Sequence, residues 1–246
     1  MTYTTDYDSP DIRSHQYSSL DILMPYLKSN MNAVDLGCGT CRKTVEIAKR
    51  VKHIDCVDNN MCMLHKARQN IQAKQIRNIR LFFGDNLNLP FQSYSYDLCV
   101  SILTTWSPAE AHRLLHKDGL LFLEALDADD KVDLKRAFGH DEYGWRGRFL
   151  NQTSTDRLYY ITLSLSPFFD IITMRNIEFT TTLSKMGLIK LLSTTPTIRD
   201  FSLEKDKSIL DCVTSQGSVT LLEKRIVIIA SVKDRGESNY AKSENE

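Results

Sequence analysis

The sequence predicts an α/β fold in which helices cover both faces of a doubly wound, mostly parallel seven-stranded sheet. Three observations support this prediction. Short β-branched and aliphatic runs alternate with helical patterns through the first half of the chain. Such apolar runs suit strands that are covered on both faces, and a glycine-rich turn follows the first of them. The length of 246 residues favours one large domain.

Five strands are predicted in the first half, and helices separate most of them. Helix 40–51 is typical, because Val45 and Ile47 take inward positions while basic residues take outward ones. Pro108 suits the first turn of a helix. In chain order the elements are strand 32–36, helix 40–51, strand 53–57, helix 60–73, strand 79–83, strand 96–102, helix 108–116 and strand 119–125.

The pattern changes after Ala125, where residues 127–157 become polar, charged and spotted with aromatic side chains. Residues 219–232 are strongly β-branched and are predicted to close the sheet. The predicted elements are helix 131–138, an irregular loop at 138–149, helix 155–165, strand 170–179, helix 184–192, helix 208–215 and strand 219–232. The tail 233–246 has almost nothing to bury and is predicted to be disordered.

Charge and hydropathy exclude several classes of protein. The 31 Lys and Arg residues balance 31 Asp and Glu residues, whereas domains that coat nucleic acid usually carry a strong positive excess. No apolar run approaches the roughly 20 residues that span a bilayer, and the polar N-terminal region shows no secretory signal. We therefore expect a cytoplasmic protein with no membrane partner, in which the six cysteines remain thiols.

The turn after the first strand carries the clearest chemical signal. Gly37 and Gly39 let the backbone approach a ligand closely, and the following helix offers free N–H groups to an anion. An acid that holds a ribose belongs about 20 residues later, at the end of the second strand. Asp58 occupies that position, so the residues predict a cofactor that carries a nucleoside.

The nature of this cofactor follows from the wider sequence around the turn. The third glycine of the dinucleotide fingerprint falls on Arg42, which disfavours an oxidoreductase. The string VDLGCGT, with Asp35 two residues before the first glycine, resembles the first motif of class I S-adenosylmethionine-dependent methyltransferases. The resemblance covers about residues 32–126 and continues through VDNNMCMLHKAR (57–68), FFGDNLNLPF (82–91), YDLCVSIL (96–103) and LLHKDGLLFLE (114–124).

The resemblance implies a Rossmann-like fold, S-adenosylmethionine as the cofactor and a set of contacts to it. It puts the glycine turn beside the methionine part of the cofactor, with Asp35 near the amino group. Asp58 accepts both ribose hydroxyls, Met61 packs on the adenine, and Asp85 bonds the adenine amino group. Two positions depart from the family pattern, Cys41 and Asp118. The implied cofactor residues are Asp35, Gly37, Cys38, Gly39, Asp58, Asn59, Met61, Asp85, Asn86 and Ser101.

The remaining segments are predicted to choose the substrate. Ligands bind outside the carboxyl ends of strands in open α/β sheets, which favours Glu124 and the loop after the fourth strand. We predict His140, Glu124 and Tyr143 as catalytic residues, and Tyr17, Thr104, Thr105, Trp106 and Trp145 as substrate contacts. A single domain, 1–232, then comprises an N-terminal lid segment 1–30, a cofactor half 31–126, a substrate lid 127–168 and a sheet completion 169–232.

The acceptor is predicted to be an oxygen or nitrogen of a small molecule. One alternative is RNA, because residues 42–80 hold ten Lys and Arg residues against three acids, and Thr194-Thr195-Pro196 resembles a segment of some guanine-N1 ribosomal RNA methyltransferases. The other alternative is a non-catalytic module that has the same fold and binds S-adenosylmethionine or a partner. The sequence leaves the oligomeric state open.

No metal is predicted. A zinc site at Cys38 and Cys41, completed by Cys56 and Cys62, is disfavoured because two of these cysteines flank the glycine turn while Cys56 lies inside a strand. A second candidate pair, His112 and His116, is better explained as the surface of a helix.

Overall fold

A computed structural model describes residues 19–233 of the chain. Tyr17, most of the predicted lid segment 1–30 and the predicted tail after Lys233 lie outside the described residues. Between residues 19 and 233, the helices are too short or too polar to cross a membrane. This part of the chain forms one large sheet and one small hairpin.

The strands are β1 Asn32–Leu36, β2 His53–Asp58, β3 Ile79–Phe83, β4 Tyr96–Ile102, β5 Leu115–Leu126, β6 His140–Asp141, β7 Gly144–Trp145, β8 Phe169–Ser184 and β9 Ser218–Val232. The main sheet has the order β3-β2-β1-β4-β5-β9-β8, and β6 pairs with β7. β1 to β5 run parallel, whereas β9 is antiparallel to both β5 and β8. The predicted doubly wound, mostly parallel seven-stranded sheet is confirmed.

Four of the described helices begin after a residue whose side chain accepts from their first N–H groups. The Asn60 side chain accepts from the amides of Cys62 and Met63, and Thr153 forms a capping box with Asp156. The helices are α1 Leu20–Leu23, α2 Thr44–Ala48, α3 Met61–Ala73, α4 Pro108–Leu114, α5 Val132–Ala137, α6 Ser154–Leu165, α7 Lys185–Thr194 and α8 Lys207–Val213, with a 3-10 turn at Met24–Tyr26.

Three predicted boundaries need correction. The helix expected from residue 40 begins at Thr44, because Cys41 takes a left-handed conformation with φ of 58° that interrupts a helix. β5 begins at Leu115 and not at residue 119, which shortens α4. The loop expected at 138–149 contains the β6–β7 hairpin, in which His140 pairs with Trp145.

The core lies on both faces of the sheet, because successive residues of each buried strand point to opposite sides. On β5, Leu121 and Leu123 belong to one apolar cluster while Phe122 belongs to the other. β9 repeats the pattern with Ile228 and Ile229. Two covered faces explain why residues 120–123 of β5 and 226–230 of β9 are continuously apolar.

β8 and β9 continue beyond the rest of the sheet. β9 pairs with β5 only between Arg225 and Ser231, whereas it pairs with β8 along its whole length. Residues 218–224 therefore belong to a two-stranded ribbon. Buried apolar residues of α5, α7 and α8 pack against this ribbon in a third cluster, which stands apart from the two clusters of the main sheet.

A matched pair of substitutions tests the two-faced core. Phe122 is fully buried, so Phe122→Ala is expected to lower the free energy of unfolding by about 3–5 kcal/mol. Phe83, at the end of β3, is 63% exposed, so the same change there is expected to cost less than about 0.5 kcal/mol. Urea denaturation measures both values. Equal losses in the two variants would contradict this assignment of the core.

Candidate active site

A cleft of about 940 Å³ opens at the carboxyl ends of the central parallel strands. It begins at the glycine turn after β1, passes the ends of β2, β4 and β5, and ends against residues of α6 and the segment after α7. The sheet order changes direction between β1 and β4, and crevices at such points bind ligands in α/β folds. The cleft is therefore the candidate active site.

The glycine turn is tied to the end of β2 by two hydrogen bonds. The amides of Gly37 and Cys38 both donate to the carbonyl of Val57, each over 2.9 Å. Gly37 has φ of 74°, and a Cβ atom added there would collide with Oγ1 of Thr104. Only glycine combines this conformation with this close packing. The backbone of the turn therefore lines the cleft without a side chain at position 37.

Asp58 stands at the end of β2 and organises the turn. Its Oδ2 accepts from the amide of Gly39 over 2.8 Å, and its Oδ1 accepts from the amide of Asn60 over 2.9 Å. Burial raises the pKa of this carboxyl, while the two amides act in the opposite direction. Each carboxylate oxygen has a second lone pair, so the group can still accept two adjacent hydroxyls. This geometry fits the ribose of a nucleoside.

Asp35 lies on the cleft wall at the end of β1. Its Oδ2 accepts from Oγ1 of Thr44 over 2.5 Å, which joins β1 to the start of α2. Burial raises the pKa of the Asp35 carboxyl to about 7, although the hydrogen bond from Thr44 opposes this shift. A cation that binds beside Asp35 therefore meets a group whose charge changes near neutral pH.

Asn86 and Asp85 line the cleft after β3. Nδ2 of Asn86 donates to the carbonyl of Thr105 over 3.2 Å, while its Oδ1 is buried with no hydrogen-bond partner among residues 19–233. Asp85 accepts only the amide of Leu87 among the bonds its side chain makes here. Buried acceptors without donors are uncommon, so this side of the cleft suits a ligand that donates hydrogen bonds.

Glu124, at the carboxyl end of β5, is buried at the floor of the cleft among cations. Its Oε2 accepts from Nζ of Lys43 over 2.5 Å and also from the hydroxyl of Ser19, and Nε of Arg225 lies 3.9 Å from Oε1. Glu124 thus presents a fixed carboxylate towards the space beyond the glycine turn.

The wall opposite the turn is rich in arginine. The guanidinium groups of Arg148 and Arg157 both lie over the ring of Phe149, 4.6 and 4.2 Å from its centre. Thr104, Thr105 and Trp106, the predicted substrate contacts, line the same cleft. The pKa of Arg157 is lowered, first by burial and then by the nearby charge of Arg148.

Several predicted site residues lie elsewhere. His140, Tyr143 and Trp145 belong to the β6–β7 hairpin and are absent from the cleft wall, with Tyr143 76% exposed. The hairpin packs on itself, since the His140 and Trp145 rings meet edge to face at 5.6 Å, and Arg199 binds Asp141. The placement of these three residues at the site is therefore corrected to an exposed hairpin, whereas other residues of the predicted lid 127–168, such as Lys131 and Arg157, line the cleft.

Two predicted cofactor residues also fall outside the cleft wall. Met61 is 51% exposed at the start of α3, and Met63 lines the cleft in its place because the helix turns the first residue outward. Ser101 is fully buried in β4, and its hydroxyl has no hydrogen-bond partner within the described range. The other predicted cofactor residues, including Cys38 and Asn59, line the cleft.

Sequence reasoning missed residues that come from distant parts of the chain. Lys43 was assigned to an outer helix face, but it lies before α2 and reaches Glu124, 81 residues away. Arg157 and Arg225 were not singled out, and both line the cleft. The only signal for Arg225 is a charge at the boundary of a strongly apolar strand, where an unpaired charge is unexpected.

Fold and site together define a domain that binds a nucleoside-bearing cofactor at the ends of parallel strands. Residues 33–119 match the family described as "Methyltransferase domain", and this segment is a methyltransferase domain of the class I, S-adenosylmethionine-dependent kind. S-adenosylmethionine is accordingly the cofactor that the cleft accommodates, with Asp58, the glycine turn and the open acceptor of Asn86 as the groups that fit it.

Two curated relatives match parts of the chain. A demethylmenaquinone methyltransferase of Staphylococcus saprophyticus is 35% identical over 74 residues, which is 29% of this chain and 31% of that protein. A biotin biosynthesis bifunctional protein, BioHC, of Saccharophagus degradans is 31% identical over 145 residues, 54% of this chain and 25% of that protein. The chain thus spans less than a third of the length of either relative.

A solved structure extends the similarity to the whole fold. A Bacillus halodurans protein described as a methyltransferase superposes with a TM-score of 0.63 at 17% identity, covering 87% of this chain and 99% of that one. This likeness shows that the two proteins share a fold over most of this chain.

Removal of the Asp58 carboxylate tests the cofactor site. Asp58→Ala is expected to weaken S-adenosylmethionine binding at least about tenfold, because hydrogen bonds to a charged group contribute roughly 1.5–3 kcal/mol. Isothermal titration calorimetry measures the change. Asp118→Ala, at an exposed residue remote from the cleft, serves as the matched control and should bind normally. Unchanged affinity in Asp58→Ala would contradict the ribose assignment.

The raised pKa of Asp35 predicts a pH dependence of cofactor binding. The family resemblance puts the cofactor's ammonium group near Asp35, and an ionised carboxylate attracts that group more strongly than a protonated one does. Because the Asp35 pKa is about 7, affinity is expected to rise about tenfold from pH 6 to pH 8 as the proton leaves. Asp35→Asn should flatten this profile in calorimetry. An equally steep profile in the variant would exclude Asp35 as its source.

Proposed function

We propose that the protein transfers a methyl group from S-adenosylmethionine to an oxygen or nitrogen of a small molecule. The observation that carries the proposal is the continuity of one cleft, which runs from the glycine turn past Glu124 to the arginine wall. The names of the two relatives, a demethylmenaquinone methyltransferase and a biotin biosynthesis protein, also favour a small acceptor.

The charge of the cleft favours a small molecule over RNA. Its wall carries seven acidic and seven basic residues, whereas a track for a phosphate backbone carries a clear positive excess. The basic residues counted in 42–80 contribute only Arg42 and Lys43 to this wall. The cleft wall therefore lacks the charge expected of a binding track for RNA.

The protein's part in methyl transfer is to position the acceptor, exclude water and receive a proton. S-adenosylmethionine supplies, when bound, an electrophilic methyl group. Glu124 is the proposed proton acceptor, because its buried carboxylate faces the cleft beyond the turn and is held by Lys43 and Ser19. Thr104 and Trp106 flank the acceptor between the turn and the arginine wall.

The arginine wall suggests the chemistry of the acceptor. Arg148 and Arg157 bring two like charges to one ring, and an anion that binds beside them offsets their mutual repulsion. Arginine pairs bind carboxylate and phosphate groups with good geometry. We therefore favour an acceptor molecule that carries such an anionic group.

A pair of substitutions distinguishes Glu124 from the sequence-predicted base His140. Glu124→Gln is expected to lower turnover at least about tenfold while S-adenosylmethionine affinity stays within twofold, because the isosteric amide cannot accept the proton. His140→Ala is expected to leave turnover unchanged, since the hairpin stands apart from the cleft wall. Turnover is measured as methyl transfer from labelled cofactor. The reverse result would restore His140 as the base.

The acceptor class is tested with methyl-labelled S-adenosylmethionine and a fractionated cell extract. Label is expected to enter small metabolites, and the extract fraction that supports transfer should be retained on an anion-exchange resin before the reaction. Label in RNA would replace the small-molecule proposal. Tight cofactor binding without transfer to any fraction would instead favour the non-catalytic alternative.

A further inference from the structure

Three cysteine thiols meet beneath the glycine turn. Cys38 lies within the turn, Cys41 lies between the turn and α2, and Cys56 lies in β2. Their Sγ atoms all lie within 4.8 Å of one another. Cys41 and Cys56 are fully buried, whereas Cys38 is partly exposed and lines the cleft. Two of the three thiols are thus buried, and the third reaches the solvent of the cleft.

Backbone hydrogen bonds hold the three residues together. The amide of Cys38 donates to the carbonyl of Val57, and the amide of Cys41 donates to the carbonyl of Cys38 over 3.0 Å. Cys56 precedes Val57 on β2 and is the register partner of Asp35 on β1. The sulfur atoms are therefore brought together by the same backbone contacts that shape the cofactor turn.

The backbone of Cys41 is a second, independent observation. Its φ of 58° lies in the left-handed region, which costs conformational free energy for any residue except glycine. A strained conformation with an unfavoured side chain points to a role for that side chain. The side chain of Cys41 adds a thiol that lies near the thiols of Cys38 and Cys56, which glycine could not supply.

We propose that Cys38, Cys41 and Cys56 form a binding site for one thiophilic divalent cation of the zinc and cadmium class. Zinc–thiolate bonds are about 2.3 Å long, so three sulfurs around one ion are separated by roughly 3.8 Å. The observed separations need to close by less than about 1 Å, a shift that the Cys38 side chain in the cleft can supply. The fourth coordination position stays open to water.

Binding has a defined proton balance. A cysteine thiol is mostly protonated at neutral pH. Burial raises the pKa of Cys56 further, and the contact with Cys41 raises that of Cys38. One divalent cation then forms three metal–sulfur bonds and releases three protons. No oxidant or reductant takes part. Cys62 and Cys212 are exposed and lie outside the group, and His112 packs on Phe168 and Phe169.

The test uses the reduced, full-length protein carrying Cys62→Ser and Cys212→Ser, which removes the exposed thiols. Cadmium is expected to bind at one ion per chain, with an ultraviolet thiolate-to-metal absorption and the release of three protons. It should also raise the melting temperature, because the assembled site exists only in the folded chain. Magnesium is expected to do none of this. The absence of the absorption band, or an equal response to magnesium, would overturn the proposal.

Matched variants locate the site. Cys41→Gly removes one thiol and relieves the left-handed strain, so it should fold and lose at least about tenfold in cadmium affinity. Cys56→Ala should show the same loss. Cys99→Ala removes an equally buried thiol outside the group and should bind cadmium normally. Cadmium affinity that survives Cys41→Gly, or falls equally in Cys99→Ala, would contradict this site. These readouts are independent of methyl transfer.

Discussion

The carbonyl of Val57 is the point on which the active site depends. It accepts the amides of both Gly37 and Cys38, and so ties the turn after β1 to the end of β2. Asp58, the next residue, accepts the amide of Gly39 and completes the connection. Three consecutive amides of the turn are thereby satisfied by two consecutive residues of one strand. A change in the pairing of β1 with β2 would displace the glycine turn relative to the Asp58 carboxylate, so this pairing fixes their relative geometry.

The cofactor half was largely predictable because its determinants are local. Strands such as Asn32–Leu36 and Tyr96–Ile102 have the predicted bounds, since a short apolar run between turns specifies a buried strand. The substrate half was less predictable, because its contacts join residues far apart in sequence. His140 and Trp145 have the composition of an active-site loop, yet local pairing closes them into a hairpin. Arg199, 58 residues from its partner Asp141, secures that hairpin by a contact that no periodicity reveals.

Charge is buried where the two halves meet. Arg225 of β9 binds Asp130 and Glu223, and Nζ of Lys131 lies 3.0 Å from Asp130 and 3.2 Å from Glu223. Buried ion pairs contribute little net stability, but removal of one partner leaves an unpaired charge at a high cost. This network fixes the loop before α5 against β9 at the edge of the cleft. The network therefore fixes where this part of the cleft wall lies, and contributes little to the stability of the fold as a whole.

The β8–β9 ribbon separates two tasks within one chain. Where β9 leaves β5, each strand of the ribbon has a single neighbour, and two-stranded ribbons twist more than strands inside a wide sheet. The helix that follows β8 leads to the residues that close the far end of the cleft. Insertions or changes of twist in this arm can therefore reshape the space for the acceptor while the parallel strands that hold the cofactor keep their register. The same scaffold can in this way accommodate molecules of different size without rebuilding its cofactor turn.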